Sequence, residues 1–143
     1  MASADWHAAF PTPSSIPDAI SATELAAILK DPKKDVLRDY IVVDVRRTDF
    51  EDVFIPGALN LPAHSFYPTL PTILKLLGSI PLVVFHCNSC KEGGRGWRVA
   101  AWYQDALKEA GIPETTSKGV ILEGGIKGWK ERFGEDAGLS RQL

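Results

Sequence analysis

Leu82-Val83-Val84-Phe85-His86-Cys87-Asn88-Ser89-Cys90-Lys91-Glu92-Gly93-Gly94-Arg95-Gly96 changes character at a single point. Up to His86 the residues are mostly β-branched or aromatic and suit a strand covered on both faces, beginning after Pro81. From Cys87 to Gly96 they are polar and glycine-bearing, as in a loop. From about Trp97 onward, Val99, Tyr103, Ala106, Leu107 and Ala110 fall on one helical face, and Gly111 is a natural stop. A cysteine therefore sits where a buried strand gives way, through a polar loop, to a helix. In open parallel sheets, ligands bind beyond the carboxyl ends of the strands.

The same alternation continues outward. Tyr40 to Val45 is a second β-branched run with Asp44 near its carboxyl end, and Gly119 to Glu123 is a third. Ser21-Ala22-Thr23-Glu24 has capping-box spacing ahead of Leu25, Ile28 and Leu29, which predicts a short helix ending near Asp31-Pro32. Pro71 to Gly78 predicts another helix, with proline near its start and glycine at its end. Gly124-Gly125 lead into a short helix holding Trp129, a core anchor. Arg46 to Phe54 is charged and compatible with a helix, and Ile55 to Leu61 turns into a short strand. Residues 1–20, with Pro11, Pro13 and Pro17, read as an irregular arm pinned by Trp6 and Phe10. Residues 134–143 read as a frayed tail. The pattern predicts one α/β domain over 21–133, a central, mostly parallel sheet with helices on both faces.

The totals bound the function. A chain of 143 residues fits a single domain with a real core. Lys plus Arg is 16 and Asp plus Glu is 18, so no overall basic surface recommends nucleic acid as a partner. No apolar run approaches the roughly 20 residues of a membrane helix, and no signal peptide is apparent at the N-terminus. Cys87 and Cys90 are the only cysteines, too few for a disulfide scaffold and suited to a reducing compartment. The expectation is a soluble intracellular protein, cytoplasmic with the nucleus open, acting as a monomer or homodimer without membrane or nucleic-acid partners.

The loop can activate a thiol. A free cysteine titrates near about 8.5 and is only a few per cent thiolate at neutral pH. Successive backbone N–H groups in a glycine-bearing loop form an anion nest, and the helix that follows points its N-terminus at the same place. Arg95 adds a permanent cation with forked donors. Gly93, Gly94 and Gly96 allow close backbone approach. These features stabilise a thiolate at Cys87 and also hold an oxyanion substrate, with Asn88, Ser89, Lys91 and Glu92 completing the loop.

At this point a family resemblance becomes visible. Val42-Val43-Asp44-Val45-Arg46 followed by Ile55-Pro56-Gly57-Ala58-Leu59-Asn60-Leu61-Pro62 resembles the first signature of rhodanese domains. Leu122-Glu123-Gly124-Gly125-Ile126-Lys127-Gly128-Trp129 resembles the terminal one. His86-Cys87, followed by Arg95-Gly96-Trp97-Arg98-Val99-Ala100-Ala101, resembles the branch of fungal arsenate reductases and cell-cycle dual-specificity phosphatases. The resemblance implies a rhodanese fold, with Cys87 as nucleophile, Arg95 as anion-gripping arginine, and Asp44, Arg46 and His86 in support. It implies no cofactor or metal, and a small thiol such as glutathione as co-substrate if arsenate is reduced. In that branch five residues separate the cysteine from the arginine; here seven do, so the loop either bulges near Gly93-Gly94 or loses its cradle.

Several readings stay open at this level. Cys90-Lys91-Glu92-Gly93-Gly94-Arg95 has the shorter spacing of sulfurtransferase rhodaneses, which keeps persulfide transfer as an alternative. Cys90 either resolves oxidised or thiolated Cys87 or is a loop cysteine without a role. Zinc would need about four ligands, and His7, His64 and His86 lack finger-like spacing. Asp44 is read as an ion-pair partner of Arg46 before a general acid; Glu92 is a further acid candidate. Lys91 and Arg98 flank the loop and can steer anions in, with a solvated surface charge the default reading of Arg98. A catalytically inactive rhodanese-like binding module is the remaining alternative, favoured by the lengthened loop and opposed by the intact cysteine and arginine.

Overall fold

The computed structural model describes residues 6–143. The elements run β1 (Asp18–Ile20), α1 (Ala22–Lys30), β2 (Tyr40–Asp44), β3 (Val53–Phe54), β4 (Leu59–Asn60), α2 (Ala63–Leu77), β5 (Leu82–His86), α3 (Arg95–Glu109), β6 (Lys118–Leu122), α4 (Gly125–Phe133) and β7 (Arg141–Gln142). Five strands form one sheet in the order β1-β6-β5-β2-β4, and every pairing in it is parallel. β3 and β7 pair antiparallel as a separate two-stranded sheet. No helix among the described residues is long and apolar enough to cross a membrane.

The strands explain the layering. Side chains alternate across a strand, and in β2 Ile41 and Val43 enter the core shared with α2 and α3, whereas Tyr40 and Val42 enter the one shared with α1 and α4. In β5, Val83 and Phe85 take the first side and Val84 the second. Both strands are buried on two faces, which is why they read as continuous apolar runs.

Helix α1 begins as its sequence predicts. Ser21 Oγ accepts from the Glu24 N–H at 3.1 Å, and the Ser21 N–H donates to Glu24 Oε1 at 3.0 Å, closing the capping box. Trp129 is fully buried, and its Nε1–H donates to the Leu139 carbonyl at 2.8 Å. Truncating an aromatic side chain buried in this way typically costs about 3–5 kcal/mol.

Four expectations need correction. The arm does not stay irregular to residue 20, because Asp18–Ile20 pairs in register with Val120–Leu122 as the sheet edge. Residues 1–5 of that arm lie outside the described residues, whereas Trp6 and Phe10 do pack on Trp102. The stretch 46–54 is not helical: its backbone is drawn in by Arg46 and ends as β3. Helix α2 starts at Ala63, two turns before Pro71, and holds Pro68 and Pro71 inside it. Each proline removes one backbone bond from its helix, but both are solvent-exposed, while Phe66, Leu70, Ile73 and Leu77 are buried at helical spacing on the other side. The tail is not frayed throughout, since Leu139 is buried and β7 pairs with β3.

Candidate active site

Strand β5 lies at the middle of the sheet, between β6 and β2, and Cys87 follows its last residue. The loop from Cys87 to Gly94 is shaped by three local devices. Cys90 adopts φ +57°, a left-handed conformation that costs a non-glycine residue about 1–2 kcal/mol. Its side chain is thereby turned inward and buried. The Gly94 N–H donates to the Lys91 carbonyl at 2.8 Å and Gly93 has φ +78°, a type II turn over Lys91–Gly94. Arg98 closes it by donating from Nε to the Gly93 carbonyl at 2.9 Å, so Arg98 is a loop brace where a solvated charge was expected.

Gly96 is required by contact. A Cβ there would lie 2.7 Å from Cys90 Sγ and 3.2 Å from the Cys87 nitrogen. The close approach brings the Gly96 N–H to Cys87 as a donor to its sulfur. Cys87 is held well below its ordinary range, first by the Cys90 thiol, then by the N–H groups of Gly96 and Cys90 and the charge of Arg95, against the opposing effect of burial. The Cys90 thiol is pushed up, because it donates to Cys87 and is itself desolvated. It also lies 3.8 Å from the Phe85 carbonyl.

A cleft of about 610 Å³ opens on Cys87. Asn88, Ser89, Lys91, Gly93, Gly94 and Arg95 lie on it. Cys90 and Gly96 are buried behind it, and Glu92 is exposed and off it. Six further residues of its wall, Trp6, His7, Arg47, Thr48, Asp49 and His64, carry no motif that marks them as site residues. Burial holds His64 below its ordinary range, helped by the charges of Arg47 and Arg95. Its Nδ1 is shielded and has no hydrogen-bond partner among the described residues.

Arg95 is engaged by Asp49. Nη1 donates to Asp49 Oδ1 at 2.8 Å and Nη2 to Oδ2 at 2.6 Å. The pair holds the Asp49 carboxyl down to about 2 and raises Arg95. Asp49 lies 46 positions from its partner, so no local pattern exposes the pairing.

The supporting residues lie on the far side of β2 and β5. Asp44 and His86 are register partners on neighbouring strands. Asp44 and Arg46 are two apart on an extended chain, which puts their side chains on one side. Arg46 donates from Nε to Oδ1 and Oδ2 at 3.0 and 3.1 Å and from Nη2 to Oδ2 at 2.7 Å. It also donates to the carbonyls of Glu51 and Val53 at 3.0 and 2.9 Å, strapping the 47–53 loop. Asp44 is fully buried. His86 Nδ1 is 3.0 Å from the Cys87 carbonyl, and Nε2 is 3.6 Å from Asp44.

Helix α4 clamps the loop from its other end. The Ile126 N–H donates to the Cys87 carbonyl at 3.0 Å and the Lys127 N–H to the Asn88 carbonyl at 2.9 Å. Gly125 has φ +59°, and a Cβ there would lie 2.4 Å from the Asn88 oxygen. Gly125→Ala is therefore expected to cost about 1–3 kcal/mol of stability and to slow alkylation of Cys87. Denaturant melts and iodoacetamide kinetics check both; unchanged kinetics would mean the clamp does not shape the loop.

The sequence profile of the Rhodanese-like domain matches residues 21–132. The chain belongs to the rhodanese-like domain family. It is 32% identical over 112 residues to Arsenate reductase 2.2 of Oryza sativa subsp. japonica, covering 78% of this chain and 80% of that protein. It is 26% identical over 113 residues to Dual specificity phosphatase ibp1 of Schizosaccharomyces pombe, covering 68% and 80%. Among solved structures it resembles Saccharomyces cerevisiae Ygr203w, described as a homolog of single-domain rhodanese and the Cdc25 phosphatase catalytic domain. That match has a TM-score of 0.71 at 21% identity and covers 88% of each chain. The rhodanese-like fold is thus the one the sequence predicts, and relatives of this domain are enzymes named as arsenate reductase and phosphatase.

Proposed function

We propose that this rhodanese-like domain is a thiol-dependent arsenate reductase in which Cys87 attacks arsenic and Cys90 resolves the adduct. The observation that supports it best is the second thiol, buried directly behind Cys87 and donating to it. A hydrolase needs one sulfur here; a reductase also needs a source of two electrons. The Cys87 thiolate forms a sulfur–arsenic bond on arsenate, and one arsenate oxygen leaves as water after protonation. Cys90, as thiolate, then attacks the Cys87 sulfur. The sulfur–arsenic bond breaks, its electron pair stays on arsenic as arsenite, and a Cys87–Cys90 disulfide forms. Two equivalents of a small thiol such as glutathione restore the pair. Cys90 is held protonated partly by the Cys87 charge, so using that charge in the adduct makes Cys90 easier to ionise. Asp44, fully buried with Arg46 on its carboxylate, holds the loop and takes no part in proton transfer.

Phosphatase activity on a small organic phosphate is the second reading, and cleft size favours it. At about 610 Å³ the cleft is in the range of sites for small organic molecules, about 300–1,000 Å³, and larger than a bare tetrahedral ion requires. Water would then hydrolyse the phospho-cysteine. Sulfur transfer through Cys90 has less support, because that thiol is buried and held protonated.

The test compares arsenate with glutathione, p-nitrophenyl phosphate, and thiosulfate with cyanide, on the native protein and Cys90→Ser. Arsenate reduction is expected in the native protein and a loss of at least about tenfold in the variant, with any phosphate hydrolysis retained. Native-like arsenate reduction by Cys90→Ser would sink the resolving role. Phosphate hydrolysis without arsenate reduction would favour the second reading.

A further inference from the structure

We propose that Asp49 is a resident anion competing with substrate for Arg95, and that it thereby sets which anions the site accepts. The inference rests on Arg95 being the cation that grips the oxyanion. Both terminal nitrogens of Arg95 are already used, on the two oxygens of Asp49 at 2.8 and 2.6 Å. That fork is the one a tetrahedral oxyanion would accept from. The carboxylate is presented by design of the loop: Arg46 Nη1 donates to the Asp49 carbonyl at 3.2 Å and to the Glu51 carbonyl at 3.0 Å. Arg46 is in turn tied to the buried Asp44. The Asp49 backbone is therefore fixed, and its side chain faces the same cleft as Cys87.

The pair is open to exchange. The side chains of Arg95 and Asp49 are 23% and 42% exposed, so water can replace either partner without unfolding. An arriving anion meets a carboxylate beside the cation it needs. A monoanion such as acetate offers Arg95 nothing that Asp49 does not already supply, and is repelled. A phosphate or arsenate dianion offers more charge and more acceptors, and takes the fork. Asp49 is thus a threshold: it weakens every anion and excludes those too weak to displace it.

The experiment measures protection of Cys87 from iodoacetamide by inorganic phosphate and, separately, by acetate. It uses the native protein, Asp49→Asn, Asp49→Glu and Arg95→Ala. Asp49→Asn is expected to be protected by about fivefold to tenfold less phosphate and to gain protection by acetate. Asp49→Glu, which keeps the carboxylate, is expected to stay near native on both. Unchanged or weaker phosphate protection in Asp49→Asn, with Arg95→Ala unprotected, would overturn the role of Asp49 alone. Full protection of Arg95→Ala would instead overturn Arg95 as the gripping cation. None of these readouts depends on turnover, and thermal melting of each variant separates a binding change from a folding one.

Discussion

Cys87→Ser is expected to take every activity of this domain to background while leaving the fold intact. The substitution exchanges sulfur for oxygen in a side chain that is only 4% exposed, so volume and backbone change little. The chemistry changes completely. A serine hydroxyl is not ionised by two backbone N–H groups and a cation, whereas the Cys87 thiol is held low by the Cys90 thiol, the N–H groups of Gly96 and Cys90, and Arg95. The native thiol should therefore react with iodoacetamide with a midpoint in the range of about 3.5–7.5 shown by thiols in such surroundings. Below the midpoint the thiol is protonated and slow; above it the thiolate is present and the rate reaches its plateau. Cys90→Ser should keep a single fast-reacting thiol and Cys87→Ser should have none. Because a hydrogen bond from Cys90 is the first contributor to the lowering, Cys90→Ala, which removes the donor, should also move the Cys87 midpoint upward. Turnover by Cys87→Ser, or fast alkylation at Cys90, would place the nucleophile elsewhere.

The second large effect is on stability. Asp44→Asn is expected to destabilise the domain by about 3–5 kcal/mol, a large share of the roughly 5–15 kcal/mol available to a domain of this kind. Asp44 is fully buried and Arg46 is 3% exposed, so the variant leaves a cation in the core without its counter-charge. The asparagine amide also turns donors toward a group that has only donors. Arg46 holds the carbonyls of Glu51 and Val53, so loosening it should free the 47–53 loop and with it the partner of Arg95. Denaturant melts give the stability, and amide exchange in residues 47–53 gives the local effect. A loss under about 1 kcal/mol, the scale of an exposed pair, would mean that the ion pair is not what secures the loop.

What the sequence reveals here depends on how local each cause is. The capping box of Ser21 and Glu24 spans one turn and is visible as a pattern. The runs at Tyr40–Asp44 and Leu82–His86 are apolar on both faces, and their side-by-side parallel pairing follows from that. The loop from Cys87 is legible because its glycines are needed, Gly96 by the 2.7 Å approach to Cys90 Sγ and Gly93 by its φ of +78°. Helix α2 is misplaced because Pro71 looks like a start signal, and only the buried stripe of Phe66, Leu70, Ile73 and Leu77 outweighs it. Strands β3 and β7 are invisible, since two residues each leave no periodicity and they pair across most of the chain. Asp49 is hidden for the same reason: its meaning comes entirely from a residue 46 positions away.

The grip of helix α4 on the carbonyls of Cys87 and Asn88 has a consequence for order in time. Ribosomal synthesis produces Cys87 well before Gly125, Ile126 and Lys127. Until those last residues arrive, the carbonyls that they hold are free and the amides around the sulfur have no fixed direction. A nascent chain that has not reached them therefore lacks this clamp, and the loop carrying the sulfur gains it only when Gly125 to Lys127 have been made and docked.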